Sequence, residues 1–259
     1  MLVASDFDGT LSPIVANPAG AELHSGAPEV LRDLGSLFPR IRLAILSGRA
    51  LDDLALRLGT AAHNSILAGN HGLEIREQGL DWIHPDVNAG RPYLDAIAVQ
   101  LRGIVGAIHG LEIEDKGASI TLHYRRMDES CFPRLVSLIG SAEVPPEIRI
   151  HEGKKVFEFR PKIPWNKGFA LREISRHLDV PDNAIVFLGD DLTDEDAFRE
   201  LREGAITVHV GSPVGISMAR FNANDPSDAV QFLREMYQLL KGQSTAVTRE
   251  SPAGNNDRL

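Results

Sequence analysis

The sequence has only one cysteine, Cys131, so it can close no disulfide within the chain. A fold that does without such bridges suits a reducing compartment, and a cytoplasmic protein is expected. No apolar run approaches the ~18 residues that a membrane-spanning helix requires. No basic segment followed by an apolar stretch opens the chain. Positive charge is also scarce: 27 Lys and Arg stand against 36 Asp and Glu, a net charge of −9. Such a chain displaces few counterions from nucleic acid and is repelled by anionic lipid, so neither partner is expected. A small phosphorylated ligand is not excluded, because it needs only a few local donors. The nine histidines show no HxxxH or His/Cys spacing, which argues against zinc.

What is present is an ordinary globular composition, 43% hydrophobic, over a length that suits one or two domains. "LVASDF" reads as a strand and "PEVLRDLGSLF" has apolar residues at helical spacing. "IRLAIL" is a continuous apolar run, as in a strand buried on both faces. "ALDDLALRLG" reads as a helix closed by Gly59, and "NSILAGNHGLEI" as two short strands around a Gly-rich turn. This alternation predicts a parallel sheet covered by helices.

Near residue 85 the pattern changes to helix, hairpin, helix, hairpin. The hairpins are "LEIEDKGASITLHYR", turning at Lys116-Gly117, and "EIRIHEGKKVFEFRP", turning at Gly153. The βα pattern resumes with "NKGFALREISRHL", the strand "AIVFLG", a helix from about Glu195, the strand "AITVHV" and the helix "DAVQFLREMYQLL". The fold class expected is α/β: a Rossmann-like, doubly wound parallel-sheet core of residues 1–84 and 161–242, with an inserted α+β domain of residues 85–160. The polar tail 243–259 is expected to be disordered.

In an open α/β sheet, ligands sit beyond the carboxyl ends of the strands. Asp6 and Asp8 in "DFDGT", Ser47 and Arg49 in "SGR", the segment around Lys167, and the run from Gly189 to Asp196 all fall at such ends. An ionised Asp attacks phosphorus without a base to activate it. Attack on an anionic phosphate needs compensating charge, which Mg²⁺ among carboxylates and a Lys ammonium can supply. A second Asp two residues on can protonate the leaving oxygen and later deprotonate water. Ser47, between a strand and a helix N-terminus, suits a phosphate oxygen. Blander roles are also open: DxDG as a turn, Ser47 as an N-cap, and Thr193 with Asp196 as a capping box. Glu195 and Asp196 are read as structural.

These motifs, in this order, resemble the haloacid-dehalogenase-like phosphatase superfamily. The insertion lies between its second and third motifs, where that superfamily carries its larger caps. More narrowly, "DFDGTLSPI", "LSGR", "GNHGLEI", "EDKGASITLHYR", "GKKVFEFRP", "WNKG" and "GDDLTDEDAF" resemble the trehalose-6-phosphate phosphatase family over about residues 4 to 200. The resemblance implies Asp6 as nucleophile and Mg²⁺ ligand, and Asp8 as general acid/base offering its carbonyl to the metal. Asp190 would be the third protein ligand, with Asp194 nearby. Ser47 and Lys167 would hold phosphate, Lys167 also neutralising Asp6. Glu114, Lys116 and Glu158 match the positions that bind sugar hydroxyls; Arg49, Asn70, His71 and Arg125 would line the cleft. Asn70 and Asn166 depart from the Ser and Asp expected there.

The implied activity is Mg²⁺-dependent hydrolysis of trehalose 6-phosphate through an aspartyl-phosphate, by a monomer acting on a small sugar phosphate and not fused to a synthase. Another glycosyl phosphate, such as glucosylglycerol phosphate or sucrose 6-phosphate, is the alternative substrate. A phosphosugar mutase would have to retain its phosphoenzyme. A receiver-type signalling domain is too compact for the stretch between Ser47 and Lys167.

Overall fold

The computed structural model describes residues 1–15, 18–77, 80–153, 155–201, 204–213 and 215–247. Its strands are β1 (Leu2–Asp6), β2 (Arg42–Leu46), β3 (Ser65–Gly69), β4 (Glu74–Glu77), β5 (Leu80–Ile83), β6 (Glu112–Asp115), β7 (Ile120–His123), β8 (Ile148–Gly153), β9 (Val156–Pro161), β10 (Ile185–Gly189), β11 (Ile206–Val210) and β12 (Phe221–Ala223). Its helices are α1 (Ala27–Gly35), α2 (Leu51–Leu58), α3 (Pro85–Ala107), α4 (Phe132–Gly140), α5 (Lys167–His177), α6 (Leu192–Glu200) and α7 (Pro226–Val247). The class is α/β. The chain forms two compact units: Met1–Ile45, Arg57–Ile66 and Ser175–Leu259 in one, Leu46–Leu56 and Leu67–Ile174 in the other.

In the first unit the strand order is β12-β11-β10-β1-β2-β3. The pairs β1–β10, β10–β11 and β11–β12 are parallel. Every residue of β1 and β10 is buried, as their unbroken apolar runs require when helices cover both faces. The register sets Ser5 opposite Leu188, so the two strands end side by side. β12 is too short to leave an alternation in the sequence.

Two expectations need correction here. α6 begins at Leu192 rather than near Glu195, because the cap is Asp191. α7 continues past Gly242 to Val247, inside the stretch expected to be disordered. One interior glycine costs a helix about 1 kcal/mol, too little to end it. The remainder of that tail, 248–259, lies outside the described residues.

In the second unit, the end of β3 pairs antiparallel with β4, and β4 with β5. This edge departs from the all-parallel expectation. The tight turn Asn70–Gly72 reverses the chain directly, leaving no room for a crossover helix. The four antiparallel strands run β6-β7-β9-β8. Leu94, Ile97, Leu101 and Ile104 recur at helical spacing on α3 and join Ile120, Leu122, Phe157, Phe159, Leu135 and Ile139 in one core. α3 starts at Pro85, earlier than the sequence pattern suggested, because His84 accepts from the Asp86 amide and proline suits the first helical turn.

Candidate active site

The acidic cluster is built by backbone in the first unit. Asp6 ends β1 and is 3% exposed. The chain turns at once: Leu11 and Ser12 amides donate to the Phe7 carbonyl, and Gly9 N–H donates to Ser12 O at 2.7 Å. Gly9 has φ +88°, and a Cβ there would stand 1.9 Å from Asp190 Oδ2. Glycine is required on both counts. Asp8 lies inside this loop, partly buried, and its backbone bridges to Ser12.

Asp190 follows β10. Asp194, fully buried, accepts the Asp190 and Asp191 amides at 3.1 and 3.2 Å. Asp191 in turn accepts from Thr193 and Asp194, completing a capping box. The box is therefore Asp191/Asp194, not Thr193/Asp196. Asp196 pairs with Arg199 at 2.8 Å, and Glu195 accepts from the Ser217 hydroxyl and the Met218 amide at 2.6 and 2.7 Å.

Asp6, Asp190 and Asp194 each bring a carboxylate oxygen within 4.8 Å of the other two. At an effective dielectric of 20, each such pair repels by roughly 3 kcal/mol. The two amides and the helix N-terminus offset part of this for Asp194. A cation would offset the rest. An all-oxygen carboxylate set suits a hard divalent ion such as Mg²⁺ rather than zinc.

The second unit carries the remaining groups. Ser47 is 1% exposed; its amide donates to Ala68 O, and its hydroxyl accepts from the Arg49 amide at 3.2 Å. Arg49 pairs with Asp53 at 2.8 Å. Lys167 is the first residue of α5 and 2% exposed. An ammonium there runs against the helix dipole, so anionic company is implied. Asn166 accepts from the Phe169 amide at 2.9 Å and so caps α5, a task Asn and Asp share.

Asn70 and His71 both have positive φ, 49° and 58°. The Asn70 amide group donates to Glu74 at 2.5 Å and to Lys116 O at 2.9 Å. Burial raises the Glu74 pKa, while the bond from Asn70 opposes the shift.

On the four-stranded sheet, register sets Glu114 opposite Thr121, Thr121 opposite Glu158, and Glu158 opposite His151. Since side chains of paired residues share a face, this is a polar row across all four strands. Glu158 accepts from Ser119 at 2.9 Å, lies 3.7 Å from the Lys116 ammonium and pairs with Arg160. Burial alone would raise its pKa; Arg160, Lys116 and these hydrogen bonds outweigh it and hold the carboxylate below its usual range. Glu114 pairs with His123 at 2.9 Å, and that bond lowers its pKa. Arg125 is exposed on the turn after β7.

Within the second unit, Asn70, His71, Lys116 and Glu158 therefore converge. Arg160, Ser119 and Thr121 join them without having been anticipated. The alternation of "VFEFR" puts Glu158 and Arg160 on one face and was the signal for the first of these.

A family model described as trehalose-phosphatase matches residues 4–235. The probable trehalose-phosphate phosphatase G of Arabidopsis thaliana is 32% identical, over 93% of this chain and 69% of that protein. The trehalose-phosphate phosphatase of Mycobacterium marinum is 36% identical, over 79% of this chain and 52% of that protein. The chain thus spans between about half and about two thirds of the length of these relatives. A crystal structure of a trehalose-6-phosphate phosphatase related protein superposes with a TM-score of 0.77 at 26% identity, covering 94% of this chain and all of that one. With its fold, its carboxylate trio and its polar row in place, the chain belongs to the trehalose-phosphatase family.

Proposed function

We propose that this chain hydrolyses trehalose 6-phosphate to trehalose and phosphate, acting as a cytoplasmic monomer. The observation that carries the chemistry is the trio of Asp6, Asp190 and Asp194, whose oxygens lie within 4.8 Å of one another. Family membership supports the substrate. Residues 85–160 are assigned the task of recognising the sugar, and 1–84 with 161–242 that of cleaving the phosphate.

Asp6 attacks phosphorus, and the bond from phosphorus to the C6 oxygen breaks. Asp8, protonated, gives its proton to that oxygen and frees trehalose. Asp8, now a carboxylate, takes a proton from water. The water oxygen bonds to phosphorus, the bond to Asp6 breaks, and phosphate leaves. Ser47 and Lys167 are assigned to the phosphate oxygens. Asp6, the Asp8 carbonyl, Asp190 and Asp194 are the groups that would hold Mg²⁺, which when bound offsets negative charge on the phosphate. Glu114, Lys116 and Glu158 bind sugar hydroxyls, since carboxylates accept from them and an ammonium donates to them. Arg49, Asn70, His71 and Arg125 line the cleft.

The test is phosphate release from trehalose 6-phosphate, sucrose 6-phosphate, glucosylglycerol phosphate and glucose 6-phosphate, with and without Mg²⁺. A Mg²⁺-dependent preference for the first supports the reading. Preference for another glycosyl phosphate overturns the substrate but keeps the chemistry; no release from any overturns both.

A further inference from the structure

Arg160 stands two residues after Glu158 on β9, so the two side chains leave the same face. Its Nη2 pairs with Glu158 and lies 2.7 Å from His71 Nε2. A guanidinium has donors only, so Nε2 is the acceptor and the ring proton sits on Nδ1. The ring is kept neutral. Burial disfavours a second proton first, followed by the charges of Arg160, Lys167, Lys116 and His151, which push its pKa well below the usual value.

His71 is itself fastened to the loop after β2. Its amide donates to Ser47 O at 2.8 Å, and a Cβ on Gly48 would stand 2.7 Å from Nε2. A φ of 58° is unusual for a residue of this bulk and is kept only where surroundings over-determine it. The chain of contacts therefore runs from Ser47 and Gly48 through His71 and Arg160 to Glu158.

One part of Arg160 is left over. Its side chain is 24% exposed, Nη1 carries no hydrogen bond among the described residues, and Nε is buried without a partner. The two cations here, Arg160 and Lys116, are matched by two carboxylates, Glu158 beside both and Glu114 facing Lys116. A balanced guanidinium with a spare donor suits a neutral oxygen better than a second anion, and the polar row of Glu114, Thr121 and Glu158 is likewise of the kind that binds hydroxyls.

We propose that Arg160 is a specificity-determining residue that donates a hydrogen bond to an oxygen of the sugar, and that His71 is the positioning residue that aims it. This rests on the reading of the chain as a sugar-phosphate phosphatase. The experiment measures KM and kcat of R160A, R160K, H71A and H71Q on trehalose 6-phosphate and on p-nitrophenyl phosphate. R160A is expected to raise KM for the sugar phosphate at least ~tenfold, with a several-fold smaller effect on the aryl phosphate. R160K is expected to recover little, lacking the planar fork. H71A should follow R160A. H71Q, which offers an acceptor where Nε2 was, should recover most of the loss. Equal losses on both substrates, or none, overturn the proposal; if R160A does not fold, the R160K and H71A ratios decide in the same way. Wild-type preference for a different glycosyl phosphate would refute the trehalose reading alone, and the Arg160 comparison would then be scored on that substrate.

Discussion

The carboxylate trio and the Glu158–Arg160–His71 chain both hold charge away from water, but by different means. Asp6 is set by the end of a strand, Asp190 by a loop that a glycine allows close, and Asp194 by two amides and a helix start. Backbone supplies the geometry, and each side chain is left to its chemistry. In the second unit side chains supply it to one another: Ser119, Lys116 and Arg160 to Glu158, and Arg160 to His71. A change in the first region should remove one function and spare the rest. A change in the second should spread.

The largest effect tests the first half of that contrast. Asp6→Asn is nearly isosteric and removes the attacking charge. Turnover should fall at least ~10³-fold while the melting temperature does not fall, because the change also relieves repulsion within the carboxylate trio. Retained phosphate release would remove Asp6 from the nucleophile's role; a large loss of stability would show that its charge is structural.

Gly9→Ala should come next. The added carbon would stand 1.9 Å from Asp190 Oδ2 at a φ of +88°, so either the loop or the carboxylate must move. Displacement by about 1 Å is enough to cost ~10²-fold in rate, and the left-handed backbone adds about 1–3 kcal/mol of instability. Steady-state kinetics as a function of Mg²⁺ concentration checks it: a raised Mg²⁺ requirement ties the loss to Asp190.

This difference also explains what could be read from the sequence. Asp6 and Asp190 are legible because backbone-built sites keep fixed offsets from strand ends: Asp6 follows "LVAS", and Asp190 follows "AIVFLG"; Asp194 entered only through the family resemblance. The hairpins around Lys116-Gly117 and Gly153 were legible from period-two alternation; Glu114 and Glu158 were singled out on them by the family resemblance. Thr121 was not, because its place comes from register between strands far apart in sequence; the alternation of "VFEFR" gave the face of Arg160, but not its contact with His71, 89 residues earlier. The Asp191/Asp194 box was misread for a local reason. "DDLTDED" offers several residues able to cap, and only the exact first turn of α6 decides among them.

Glu158→Ala should spread its effect as the second region predicts. It leaves Arg160, Lys116 and Ser119 without their shared acceptor. Breaking a largely buried pair from one side costs about 3 kcal/mol. Loss of kcat/KM should be at least ~tenfold greater for trehalose 6-phosphate than for p-nitrophenyl phosphate. Thermal melts and the two-substrate comparison read both effects. An equal loss on the two substrates would remove Glu158 from sugar recognition.

The smallest effect concerns protons. The folded-state pKa of His71 is well below its unfolded value, so above about pH 6.5 both states are neutral there and the group contributes no pH dependence. As pH falls below that, the unfolded chain takes up a proton that the folded ring refuses. The unfolded state then binds more protons, and stability falls, by at most about 1.4 kcal/mol per pH unit until the folded pKa is reached. Glutamine in its place cannot titrate and still accepts from Arg160. The melting temperature of H71Q should therefore drop less than that of wild type between about pH 7.5 and pH 5.5. Every other titrating group is common to both proteins and cancels in the comparison. Parallel melting curves across that range would mean that the folded ring accepts its second proton as readily as the unfolded one, and Nε2 could not then be the acceptor that fixes Arg160.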